Sequence, residues 1–121
     1  MNTHQSGRAA EDAAILFLKE HGYQILERNY RFHHTEIDII AKEKDYLVFI
    51  EVKYRKSAAA QHPLAAVGPE KQKRISLTAL HYLQQHHTGL NVPCRFDVLA
   101  FIGDKPKLIR NAFPFTFTKG W

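Results

Sequence analysis

The spacing of apolar and polar residues along the chain predicts two helices and five strands. Helical periodicity predicts a first helix capped by Ser6 that runs to about His21, with Gly22 at its C-terminal cap. A second helix is predicted to begin at Pro69, which suits the first helical turn. Runs rich in β-branched and aromatic residues predict strands at 23–32, 36–41, 46–53, 94–102 and 107–113.

The most informative stretch runs from Glu36 to Lys53 and reads EIDIIAKEKDYLVFIEVK. Two extended runs flank a highly charged connection at residues 42–45, which is typical of a hairpin loop. A loop centred on this connection would place Glu36 opposite Glu51, with Asp38 opposite Phe49 and therefore diagonal to Glu51.

One face of this predicted hairpin is acidic. Because strand side chains alternate between faces, that face carries Glu36, Asp38, Glu51 and Lys53, and the other carries Ile37, Ile39, Ile50 and Val52. Like charges that face each other destabilise a sheet, and a hard divalent cation such as Mg²⁺, which takes oxygen ligands, would offset the repulsion. A protonated carboxylate is an alternative that a nearby lysine disfavours. A solvated acidic face is another alternative, which the apolar run at 46–52 makes weaker, because such a run indicates burial.

The first helix contributes two further candidates. Glu11 lies at the border of the apolar face, and the residues alone leave two roles open. It is either an acid that the helix dipole favours near the N-terminus or a fourth acid directed at the hairpin. Arg8 could contact a phosphate group or pair with Asp12 four residues later.

Cations cluster at the start of the second helix and directly after the hairpin. The helix dipole disfavours cations at a helix N-terminus, so a phosphate backbone is a physical reason for their presence, and a solvated helix face is the alternative. The candidate nucleic-acid-binding residues are Arg8, Arg55, Lys56, Lys71, Lys73 and Arg74. The intervening residues 57–68 read as a loop that either grips a substrate or serves as a surface linker.

Near the C-terminus, Arg95 and Asp97 share one face of a strand and are predicted to form a structural pair. An aromatic tail consists of Phe113, Phe115, Phe117 and Trp121. It either packs over the domain or forms a self-association surface, so that a homodimer is an open alternative.

Composition narrows the protein class. A chain of 121 residues, 45% hydrophobic and 24% charged, predicts a single globular domain over residues 1–121. The net charge of +5 is compatible with a polyanionic partner. A lone cysteine excludes an internal disulfide, and the sequence shows neither a signal peptide nor a membrane span. We therefore expect a cytoplasmic protein with no membrane association.

Several segments resemble the YraN family of small bacterial predicted nucleases: GRAAEDAA, GYQILERNYR, EIDIIA, LVFIEVKYR, residues 71–74 and RFDVLAF. Within them, EID followed by VFIEVK resembles the PD-(D/E)xK signature of metal-dependent nucleases. The similarity spans about residues 7–113. It implies an α/β fold with a mixed central β-sheet flanked by helices and a restriction endonuclease-like core.

The family resembles archaeal Holliday-junction resolvases, and this implies roles for individual residues. Asp38 and Glu51 would bind Mg²⁺ (or Mn²⁺), Lys53 would be the catalytic lysine, and Glu11 would be an additional acid near the metal. Glu36 and Gln72 are further candidates. The implied activity is hydrolysis of DNA, with branched or single-stranded substrates favoured and RNA as a further candidate. The alternative is a module of the same fold that binds nucleic acid in recombination, repair or DNA uptake but cuts weakly or not at all.

Overall fold

A computed structural model of the protein describes residues 3–56, 67–86 and 91–116, with side chains from residue 8 onward. The helices and strands are α1 (Thr3–Glu20), β1 (Gln24–Phe32), β2 (Thr35–Glu43), β3 (Tyr46–Arg55), α2 (Pro69–Gln85), β4 (Cys94–Ile102) and β5 (Lys105–Phe113). The predicted start of the first helix was wrong, because Ser6 lies inside α1. Neither glycine nor proline interrupts residues 3–6, so the helix extends to Thr3.

The strands form one five-stranded mixed sheet in the order β1-β2-β3-β4-β5. β3 and β4 are parallel, and the other neighbours are antiparallel. A parallel pair needs a crossover connection, and α2 lies within it. β1 and β5 form the two edges of the sheet. The architecture confirms the predicted α/β class with a restriction endonuclease-like core.

Helices cover both faces of the sheet. The α1 side buries a cluster that includes Ala14, Leu18, Ile39, Ile50 and Leu99. The α2 side buries a cluster that includes Ile37, Phe49, Ile75, Ala79 and Phe96. This double coverage explains why β3 reads as a nearly continuous apolar run.

The β2–β3 hairpin has a tighter turn than the sequence predicts. Only residues 44–45 form the turn, and Lys44 adopts a φ of 54°. Two-residue turns with positive φ match the natural twist of paired strands. The predicted register was therefore wrong by two residues: Phe49 pairs with Ile40 and not with Asp38. A displacement by two keeps each β3 side chain on its predicted face.

The prediction that Ile37 and Ile39 share one face was wrong. Ile37 packs on the α2 side, whereas Ile39 packs on the α1 side. The observed β2–β3 pairing runs only as far as Ile39 and Ile50. Beyond it, the backbone N–H of Val52 donates to the side chain of Asp38 at 2.8 Å. The two strands therefore diverge where the predicted acidic site begins.

The Arg95–Asp97 pair predicted from the sequence is present, with 3.0 Å between Arg95 Nε and Asp97 Oδ1. In the aromatic tail, the ring of Phe113 stacks on Phe96 at a centroid distance of 4.9 Å. Phe115 meets the same ring edge to face. This part of the tail packs over the domain, while Phe117, Trp121 and residues 57–66 of the predicted loop lie outside the described residues.

Gly22 ends α1 as predicted, and we expect Gly22→Ala to lower the free energy of unfolding by about 1 kcal/mol. Gly22 has a φ of 88°, and Tyr23 N–H donates to the Leu18 carbonyl at 2.9 Å in a Schellman-type cap. Gly68 is the matched control, because open space surrounds both positions but its φ is −73°. Urea unfolding of both variants measures the difference. Equal losses of stability would contradict the role of the left-handed conformation.

Candidate metal and nucleic-acid site

A polar cleft of about 550 Å³ opens at the point where β2 and β3 diverge. Five parts of the chain contribute to it: α1, the β1–β2 turn, β2, β3 and α2. The cleft is lined by Glu11, His34, Thr35, Glu36, Asp38, Glu51, Lys71 and Arg74. The predicted acids from α1 and from the hairpin thus meet in one place.

Glu11, Glu36 and Asp38 form the tightest group of acids. One carboxylate oxygen from each lies within 4.8 Å of the other two. Burial and the neighbouring Glu36 raise the pKa of Glu11. Glu36 also pairs with Arg31, with 3.0 Å between Nε and Oε2. The structure thus places Glu36 in the cluster. It also places Glu11 there, for which the sequence alone had left two roles open.

Asn29 is part of this cluster, and sequence reasoning did not identify it. With its amide nitrogen turned towards the acids, it donates to Glu11 Oε1 at 3.0 Å and also to Glu36. Its φ of 55° takes it out of the regular strand conformation, and asparagine tolerates that region better than most residues. An asparagine inside an otherwise regular strand was the available signal. His34, in the β1–β2 turn, and Thr35, at the start of β2, also line the cleft.

Asp38 is the most strongly perturbed acid in the cleft. Burial and the charge of Glu51 raise its pKa to about 8, against an ordinary value of 3.8, and the N–H of Val52 opposes that rise only in part. The expectation that a nearby lysine keeps this cluster ionised was therefore wrong for Asp38. Lys53 contacts Glu51 and does not offset the loss of solvent around Asp38.

Glu51 is only 7% exposed, and two ammonium groups share one of its oxygens. Lys53 Nζ lies 3.4 Å and Lys71 Nζ 3.1 Å from Glu51 Oε1. Burial lowers the pKa of Lys53, and the proximity of Lys71 lowers it further. Burial also acts to lower the pKa of Lys71, but Glu51 and Asp38 outweigh it, so the pKa of Lys71 is raised. Lys71 is therefore the more firmly charged of the two amines.

The other basic residues predicted to bind nucleic acid differ in whether they line the cleft. Arg74 lines the cleft, whereas Lys73 pairs with Glu70 at 3.8 Å. Arg55 is part-buried and donates to the carbonyl of Tyr54, and Lys56 is exposed. Of the predicted basic residues, Lys71 and Arg74 are thus the two that line the cleft.

Two further candidates from the sequence have other contacts. The amide of Gln72 donates to the Val67 carbonyl at 2.8 Å, which ties it to the segment before α2. The predicted alternative pairing of Arg8 with Asp12 was wrong: Asp12 pairs with Arg28 at 2.8 Å, and Arg8 is exposed. The Asp12 carboxylate is thus paired with a guanidinium from β1 and not with one from its own helix.

The donor set suits a hard divalent cation. Carboxylate oxygens are the ligands that Mg²⁺ and Mn²⁺ prefer, and the cleft gathers four carboxylates. Burial, and after it the charge of Glu51, raise the pKa of Asp38, so the protein alone makes ionisation of this carboxyl costly. A bound cation would offset that cost, so the residues present fit a metal.

Among residues 3–56, 67–86 and 91–116, neither helix combines the length and apolar character that a membrane crossing requires.

Comparison with known proteins identifies the family. The profile described as "Uncharacterised protein family UPF0102" matches residues 10–101. A UPF0102 protein of Lachnoclostridium phytofermentans is 46% identical over 113 residues, which cover 93% of this chain and 96% of that protein. A UPF0102 protein of Chlorobium phaeobacteroides is 52% identical over 99 residues, 82% of this chain and 78% of the relative. The chain therefore belongs to the UPF0102 family, which is the YraN family indicated by its sequence motifs.

Proposed function

We propose that this protein is a metal-dependent endonuclease that hydrolyses phosphodiester bonds in DNA. One observation carries the proposal: carboxylates from α1, β2 and β3 converge in a cleft, and the part-buried Lys53 contacts one of them. A solvated acidic surface would not raise the pKa of one of its carboxyls to about 8.

Asp38 and Glu51 are the proposed metal ligands, with Glu11 and Glu36 close enough to Asp38 to complete the site. A bound Mg²⁺ or Mn²⁺ would activate water and stabilise charge on the phosphate. The lowered pKa of Lys53 means that its ammonium group loses a proton more easily than that of an ordinary lysine, and only the neutral amine can accept a proton. Its proposed role is to orient the attacking water and accept a proton from it.

The cations around the cleft would hold the nucleic-acid backbone. Lys71 and Arg74 line the cleft, Arg55 ends β3 two residues after Lys53, and Lys56 comes directly after the strand. Contacts of this kind bind phosphate without reading base sequence. We therefore propose a substrate that is recognised by its structure, as branched or single-stranded DNA is, with RNA as a further candidate.

The test compares Glu51→Gln with Glu70→Gln on fluorescent branched DNA in Mn²⁺. Glu51 is buried at the cleft, whereas Glu70 is 80% exposed on α2. We expect Glu51→Gln to reduce the cleavage rate about a thousandfold, because it removes a ligand that positions the metal, and Glu70→Gln to leave it unchanged. EDTA should abolish cleavage by every variant.

Binding of the same DNA in Ca²⁺ separates the proposed enzyme from the alternative module. Wild-type protein that binds branched DNA in EDTA as well as in Ca²⁺, and cleaves none of the substrates in Mn²⁺, would overturn the nuclease proposal. That result would favour a nucleic-acid-binding module with the same fold. Equal cleavage by the Glu51 and Glu70 variants would reject the proposed ligand.

A further inference from the structure

Lys71 reaches the cleft from a different layer of the protein than Lys53. Lys53 extends from β3 and its side chain is 16% exposed, whereas Lys71 extends from the first turn of α2 and is 33% exposed. Both ammonium groups contact the same oxygen of Glu51. Lys71 is thus the more accessible of two cations at a proposed metal ligand.

The contact between Lys71 and Glu51 opposes metal coordination by Glu51. An oxygen that accepts from an ammonium group at 3.1 Å has less electron density to offer a metal. A positive charge at that distance also repels a divalent cation bound at either oxygen of the carboxylate. Lys71 and the metal are therefore alternative counter-charges for one carboxylate.

The side chain of Lys71 can leave Glu51 and remain within the cleft. A lysine ammonium group is a point charge on a flexible four-carbon chain, and Lys71 lines the same cleft as Arg74. If a metal neutralises Glu51, the ammonium group of Lys71 is released within reach of a phosphate in that cleft. Lys53, on the central strand, has less freedom to move away from its partner.

We propose that Lys71 is a positioning residue that competes with the divalent cation for Glu51 and, once displaced, binds a phosphate of the substrate. This inference rests on the proposed function, since it takes Glu51 as a metal ligand. It differs from a general phosphate contact because it predicts opposite effects of one substitution on two ligands.

The test is calorimetric titration of Mn²⁺, without DNA, into wild type, Lys71→Met and Lys73→Met. Lys73 is the matched control, because it lies on the same helix with 35% exposure but pairs with Glu70. Removing one positive charge beside Glu51 should tighten Mn²⁺ binding about tenfold in Lys71→Met. Lys73→Met should bind Mn²⁺ as wild type does. An unchanged or weaker affinity in Lys71→Met would overturn the inference.

A second measurement guards against a variant that is merely misfolded. In EDTA, Lys71→Met should melt at a lower temperature than wild type, because the buried Glu51 carboxylate loses a counter-charge. Saturating Mn²⁺ should remove this difference. Lys71→Arg should melt as wild type does in EDTA. In Ca²⁺, Lys71→Met should bind branched DNA several-fold more weakly. A variant that binds both Mn²⁺ and DNA as wild type does would contradict the proposal.

The outcomes for the inference and for the proposed function are distinct. If wild type binds Mn²⁺ and Lys71→Met binds it no more tightly, the inference fails and the metal site stands. If neither protein binds Mn²⁺, the proposed metal-dependent activity fails, and the inference fails with it. If wild type binds Mn²⁺, Lys71→Met binds it more tightly and Lys73→Met does not, the result supports both the inference and the proposed metal site.

Discussion

Replacing Asp38 with asparagine should raise the melting temperature at pH 8 in EDTA by about 5–10 °C and abolish metal-dependent cleavage. The stabilisation arises because burial and Glu51 oppose ionisation of Asp38, which raises its pKa to about 8. Asparagine carries no charge and keeps an oxygen that can accept from the Val52 N–H. The loss of cleavage follows because a neutral amide is a poor ligand for Mg²⁺.

The raised pKa of Asp38 also determines how the stability of the wild-type protein should change with pH. The folded protein keeps the Asp38 proton up to about pH 8, whereas the unfolded chain releases it near the ordinary value of 3.8. Stability of wild type in EDTA should therefore fall as the pH rises from about 4 to 8. One pKa unit corresponds to about 1.4 kcal/mol, which sets an upper bound of about 6 kcal/mol. Because Asp38 is only part-buried, we expect about 2–3 kcal/mol.

Asp104→Asn is the control for this prediction, because Asp104 is exposed in the β4–β5 turn. Calorimetric melts of both variants at pH 5 and pH 8 provide the comparison. The gain for Asp38→Asn should be larger at pH 8 than at pH 5 and should be absent for Asp104→Asn. A variant less stable than wild type at pH 8 in EDTA would show that the Asp38 carboxylate is already neutralised by its neighbours.

Replacing Asp97 with alanine should lower the free energy of unfolding by about 4 kcal/mol, the largest loss of stability that we expect from a single substitution. Asp97 is 1% exposed and accepts from Tyr23 Oη at 2.9 Å and from the Asn111 N–H at 3.0 Å. It also pairs with Arg95, which is only 11% exposed. Alanine would leave that guanidinium short of a counter-charge in a buried position.

Chemical unfolding measures this loss, with Tyr23→Phe and Asp104→Ala as graded controls. Tyr23→Phe removes the hydrogen bond that Tyr23 donates to Asp97 and the one that it accepts from Arg95, and should cost about 1–2 kcal/mol. Asp104→Ala, at an exposed turn, should change stability by less than about 0.5 kcal/mol. If Asp97→Ala costs no more than Tyr23→Phe, then Glu43 alone, at 2.8 Å, suffices to neutralise Arg95.

Most of the fold could be predicted because its signals are local. The apolar spacing of α1, the glycine after it and the proline that begins α2 each follow from chain geometry. The continuous apolar run of β3 indicated a central strand, and β3 does lie in the middle of the sheet. The register of the hairpin could not be predicted, since four charged residues mark a connection without showing which two form its turn.

The charges of that connection also misled the prediction of exposure. Glu43 was assigned to the loop, yet it is 6% exposed and bonded to Arg95, a residue 52 positions away. Long-range partners of this kind depend on the sheet order, which the local pattern does not contain. The contact of Lys71 with Glu51 has the same cause, because it depends on how α2 packs on the sheet.

The residues of the candidate site also differ in whether the sequence alone could identify them. Asp38, Glu51 and Lys53 could be named because they lie on one hairpin, where alternation relates their positions. Asn29 escaped notice because its place beside Glu11 and Glu36 depends on a left-handed residue in β1. Ile37 faces the side of the sheet opposite to the one predicted, because the side chain of Asp38 accepts a hydrogen bond from the neighbouring strand where regular pairing would continue.

The parallel pairing of β3 with β4 has a consequence for how the chain folds. Every acid of the cleft lies between Glu11 and Glu51, so all of them are synthesised before β4. β4 follows only after the α2 crossover, and until it arrives β3 is an edge strand with an apolar sequence. Docking of this distant strand should be the slow step of folding, and the period before it is when the nascent chain is most exposed to aggregation.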